Sequence, residues 1–82
     1  MRTIEECRKE IDLTDDEIAT LLCKRMSLSK EIGEIKKAEG KTVNDINREN
    51  QIVERIAEGK DEGWAIAEIY QTIFKVSKEV QE

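Results

Sequence analysis

Apolar residues recur through the first half of the chain at Ile4, Cys7, Ile11, Ile18, Leu21, Leu22, Leu28, Ile32 and Ile35, mostly in steps of three, four or seven. At about 100° per residue these positions form one stripe, and Lys9, Asp12, Asp16, Thr20, Lys24, Ser27, Lys30 and Glu34 cover the opposite face. No Gly or Pro interrupts the run before Gly33. The pattern predicts a single helix from Ile4 to about Ala38. Thr3 and Glu6 offer a capping box at its start, and Lys36 and Lys37 suit the dipole of its last turn. Gly40 is the expected residue just past its end.

Lys41-Thr42-Val43 reads as an extended connector, after which Asn44 or Asp45 caps a second helix running to about Glu58. Its apolar stripe is Ile46, Ile52, Val53 and Ile56. Gly59 to Gly63 is a polar loop with two glycines. A third helix is predicted from Trp64 to Gln81, facing inward with Ala65, Ile66, Ile69, Tyr70, Ile73, Phe74 and Val80. The expectation is an all-α fold of three helices (long, short, medium), with residues 1–82 as one domain.

Length then becomes informative. A helix of roughly 34 residues is a rod of about 50 Å, whereas a compact chain of this size is only about 30 Å across. The chain cannot cover its own first helix, and 82 residues build only a small core. An intertwined homodimer is expected.

Composition narrows the class. A 40% share of charged residues with 4% aromatics suits long helices better than a sheet. The net charge of −5 argues against a nucleic-acid partner, which asks for a basic face. No apolar run is long enough to span a bilayer, and no targeting segment is recognisable, so no membrane partner and a cytoplasmic setting are expected. Cys7 and Cys23 lie about 24 Å apart along one helix and cannot pair with each other. Cys7 reads as packing and Cys23 as an outward thiol, in keeping with a reducing compartment. With no His and no Cys cluster, no metal site is expected.

The candidate chemistry lies in what interrupts the stripes. Arg25 and Lys36 fall within about 20° of the centre of the first stripe, and Arg8 lies on its flank beside Asp15. Ser29 is central too and is assigned no role. Glu49 occupies the centre of the second stripe with Asp45 near it and Arg48 at its margin. Ser77 sits inside the third stripe, and Gln81 at its edge beside Phe74. Burying an unpaired cation costs several kcal/mol. Two inward cations therefore ask for an anion. No His is present to activate a nucleophile, so the set resembles a preorganised cage for a small anion. Plainer roles exist for each: Arg8 pairing with Asp12 or Asp15, Arg25 and Lys36 reaching Glu49 or Asp45 across a dimer, Asp45 as a helix cap, Ser77 as a small residue.

Five segments in order, Arg8-Lys9-Glu10-Ile11-Asp12, Leu21 to Ser29, Ile32 to Lys36, Val43 to Glu49 and Ile73 to Gln81, resemble the AroQ-class, all-α chorismate mutases over essentially the whole chain. That resemblance implies an intertwined dimer with two equivalent sites and a cofactor-free [3,3]-sigmatropic conversion of chorismate to prephenate in phenylalanine and tyrosine biosynthesis. It implies that Arg25 binds one substrate carboxylate and that Arg8, reaching from the partner chain, binds the other. Lys36 and Gln81 would hydrogen-bond the ether oxygen, and Glu49 the ring hydroxyl. Asp45, Arg48 and Ser77 would complete the pocket. Thr42 departs from the proline of many relatives, and the Gly59 to Gly63 loop is shorter than in several. Isochorismate pyruvate-lyase, which shares the fold and a similar cage, and a non-catalytic helical dimerisation module are the alternative readings.

Overall fold

The computed structural model covers residues 1–82 and consists of three helices. Helix α1 spans Ile4–Glu39, α2 spans Ile46–Ala57 and α3 spans Gly63–Gln81. The expected order of long, short and medium is the one found.

The ends of α1 follow from local chemistry. Thr3 is its N-cap, with Oγ1 accepting from the Glu6 N–H at 3.1 Å and donating to Glu6 Oε1 at 3.2 Å. Glu6 thus returns to the Thr3 hydroxyl rather than to its backbone N–H. At the other end Gly40 takes a left-handed conformation with φ 68°, and its N–H satisfies the Lys37 carbonyl. Gly tolerates that geometry because it has no Cβ. Between two possible caps for α2 the chain uses Asp45, whose Oδ1 accepts from the Arg48 N–H at 3.1 Å. The last loop ends on Glu62, itself left-handed with φ 57°, and its carboxylate accepts from Trp64 Nε1 at 2.9 Å.

Helix α3 packs against both α1 and α2, while α1 and α2 diverge from each other. The buried residues, Ser29 and Gly33 on α1, Ile52 on α2, Phe74 and Ser77 on α3, lie where α3 packs against its two neighbours. Gly33 is required there. A Cβ at that position would lie 2.7 Å from both the Cα and the carbonyl oxygen of Gln81, so the bare backbone lets the end of α3 lie against α1.

The chain measures 55 × 25 × 14 Å with a radius of gyration of 15.9 Å, against roughly 12 Å for a compact chain of this length. The excess is α1. From Met1 to Leu21 every residue except Cys7 is exposed, including Ile4, Ile11, Ile18 and Leu21 of the predicted stripe. Ile69 of α3, read as inward, is likewise exposed within this single chain. Both cysteines are free thiols, Cys7 half-buried and Cys23 exposed. No helix is long and apolar enough to cross a membrane.

Candidate active site

Where α1 and α2 splay apart over α3, they leave a cleft of about 470 Å³. Each helix contributes a recurring face. Arg25, Ser29, Ile32 and Lys36 come from α1 at spacings of three and four. Val43 and Asp45 precede α2, which adds Arg48, Glu49, Ile52 and Arg55. From α3 come Tyr70, Phe74, Ser77, Lys78 and Gln81. The lining holds five cations (Arg25, Lys36, Arg48, Arg55 and Lys78) against two carboxylates (Asp45 and Glu49), in a chain whose net charge is −5.

Packing and hydrogen bonds fix the individual groups. Arg25 Nη1 donates to Ser77 Oγ at 2.6 Å, and the guanidinium lies 5.8 Å from the Tyr70 ring centroid and 5.9 Å from that of Phe74. Those two rings meet edge-to-face at 5.7 Å, making an aromatic wall that holds the cation in place. Lys36 Nζ donates to the Val43 carbonyl at 3.1 Å, so the connector is laid across the end of α1. Glu49 Oε2 forms an ion pair with Lys78 Nζ at 2.9 Å. Gln81 is half-buried, and its Oε1 is enclosed without a hydrogen-bond partner. Lys37 Nζ, donating to the Glu82 carbonyl at 2.9 Å, ties down the turn that carries Gln81.

Among the predicted site residues, Arg25, Lys36, Asp45, Arg48, Glu49, Ser77 and Gln81 all line this one cleft. Arg8 does not. It is exposed and lies about 25 Å along α1 from Arg25. None of Arg25, Lys36, Arg48 and Arg55 stands within ion-pair distance of a carboxylate. Glu49 is instead held by Lys78, which sequence reasoning overlooked along with Arg55. Both carried a helical signal. Lys78 falls four residues after Phe74 and three before Gln81, and Arg55 falls three after Ile52, each on the face of a buried neighbour.

Four cations without counter-charges, a polar amide and a hydroxyl gather in one cleft of an all-α protein, a set with the chemistry to hold a small anion. Comparison with known proteins narrows that class. The family described as chorismate mutase type II matches residues 7–82. The chain is 36% identical to a chorismate mutase of Methanocaldococcus jannaschii, over 95% of this chain and 83% of that one. It is 45% identical over 56 residues to a bifunctional chorismate mutase/prephenate dehydratase of Aquifex aeolicus, covering 68% of this chain and 16% of that longer protein. A solved structure of a conserved hypothetical protein from Pyrococcus furiosus superimposes with a TM-score of 0.85 at 36% identity, over 100% of this chain and 99% of that one. The chain belongs to the chorismate mutase type II family, and that membership makes it an isomerase of the chorismate mutase class.

Proposed function

We propose that the cleft between α1, α2 and α3 folds chorismate into its reactive chair and stabilises the charge that develops on its ether oxygen, yielding prephenate. The observation that carries this reading is the set of unpaired cations in the cleft, Arg25, Lys36, Arg48 and Arg55, in an acidic chain. The substrate is a flexible dicarboxylate. Arg25, braced by Ser77 and the aromatic wall, takes one carboxylate, and the forked guanidinium fixes its direction as well as its charge. Asp45, Arg48 and Ser77 complete the enclosure, and Glu49 accepts the ring hydroxyl.

The rearrangement is intramolecular: a carbon–oxygen bond breaks as a carbon–carbon bond forms, with no proton, electron or water exchanged and no cofactor needed. Negative charge grows on the ether oxygen during that motion. Lys36 and the Gln81 amide donate to it and bind the transition state more tightly than the ground state. Holding the dianion in a near-attack conformer supplies the rest.

The second carboxylate is assigned to Arg8 of a second copy. Within one chain Arg8 lies about 25 Å along α1 from Arg25 and out of reach of the cleft, and the exposed stripe from Ile4 to Leu21 supports a partner lying along it. The unpaired thiols support a reducing, cytoplasmic setting. No observation favours the isochorismate pyruvate-lyase or non-catalytic readings.

The test follows chorismate absorbance with purified protein, assays pyruvate from isochorismate, and measures the mass in solution by sedimentation. Chorismate turnover by a dimer, without pyruvate, is expected. Pyruvate from isochorismate, or an inert protein, would end the assignment, and an active monomer would remove Arg8 from the site.

A further inference from the structure

We propose that Lys78 is a positioning residue that makes Glu49 compatible with a dianionic ligand. The inference rests on the functional reading above and adds a group to it. Glu49 poses a physical problem in that reading: a carboxylate in the cleft repels a ligand carrying two carboxylates of its own. It is also only 20% exposed at its side chain, so water screens it poorly. Lys78 answers this directly. Its Nζ lies 2.9 Å from Glu49 Oε2, and its side chain is itself only 34% exposed.

The geometry separates two jobs on one carboxylate. Oε2 faces the ammonium, which supplies the compensating charge, whereas Oε1 takes no part in that pair and remains an acceptor. Glu49 and Lys78 sit on different helices, α2 and α3, so the ion pair bridges them. An acceptor for a hydroxyl and net neutrality toward a dianion are both obtained from one pair. Arg55, on the same wall, has no such carboxylate.

A structural tie between α2 and α3 is the competing role, and the two diverge in kinetics. Charge compensation acts on substrate and transition state alike, so its loss appears in KM rather than in kcat. Lys78→Met keeps the apolar stem and removes the charge. It is expected to raise KM for chorismate about tenfold with kcat within about threefold, at unchanged helical content and melting temperature. Lys78→Arg should restore KM to within about threefold of the parent. Adding Glu49→Gln to Lys78→Met removes both charges and leaves the position as neutral as the parent pair, so KM should return to within about threefold of the parent. An unchanged KM in Lys78→Met, or a double variant whose KM is no lower than that of Lys78→Met alone, overturns the assignment. So does a loss of activity that tracks a loss of melting temperature and is not rescued by Arg. Failure of the functional reading itself would show separately, as absence of chorismate turnover in the parent protein.

Discussion

The two halves of α1 carry the same alternation of apolar and charged residues and end in different surroundings. From Leu22 onward the helix lies along α3, burying Ser29 and Gly33 and half-burying Arg25 and Lys36. From Ile4 to Leu21 an equally regular stripe is exposed, with only Ile18 and Leu21 near α3. Amphipathic periodicity thus records that a face is meant to be covered, and is silent on which chain covers it. The difference is sharpest in the arginines. Arg25 has a hydroxyl and two aromatic rings around it, while Arg8, seventeen positions earlier, has none.

The contrast is best broken first at the packed end, where the largest effect is expected. Lys36→Ala removes the ammonium assigned to the ether oxygen and should lower kcat by at least about 10²-fold, the scale of losing one preorganised donor. Circular dichroism should be unchanged, because Lys36 makes only the single bond to the Val43 carbonyl. A rate near the parent's would take Lys36 out of the mechanism.

The free end is tested by pairing the two arginines. Arg8→Ala and Arg25→Ala should each be severely impaired alone. If each site draws Arg25 from one chain and Arg8 from the other, a hybrid dimer has one intact site and one doubly defective site. Statistical re-pairing of equal amounts should therefore recover about a quarter of parent activity, the value that two-fold symmetry dictates. Hybrids that form, as seen by mass, yet stay inactive would place both arginines in the same chain's site, and an Arg8→Ala variant active on its own would remove Arg8.

Legibility followed the same division. The helix bounds, the Thr3 cap and the Gly40 terminus were readable because each is set by a few adjacent residues. The gathering of Arg25, Lys36, Asp45, Arg48, Glu49, Ser77 and Gln81 was readable because polar residues inside apolar stripes are costly unless used. What escaped depends on distances across helices. Reading from the wheel, Arg25 or Lys36 was a natural partner for Glu49, yet the structure gives that carboxylate to Lys78 and leaves the other cations unpaired. No single-helix periodicity can decide which of several cations arrives first. The close approach of Gln81 to α1 was hidden for the same reason, since Gly33 looked like an ordinary interruption.

That approach provides the finest comparison, between two glycines near the same end of α1. Gly33→Ala gains about 1 kcal/mol of helix propensity, but its Cβ meets Gln81 backbone at 2.7 Å, where no flexible side chain can yield. Overpacking of that kind costs about 1–3 kcal/mol, so the variant should be destabilised or at best unchanged, and its kcat should fall as Gln81 is displaced. Gly40→Ala meets nothing within 4 Å and is strained only by its φ of 68°, at a cost of about 1–2 kcal/mol. It should lose stability with kcat intact. Thermal denaturation and chorismate kinetics on the pair decide the matter: equal kcat in both variants would mean that the position of Gln81 does not govern the rate, and Lys36 would then carry the ether oxygen alone.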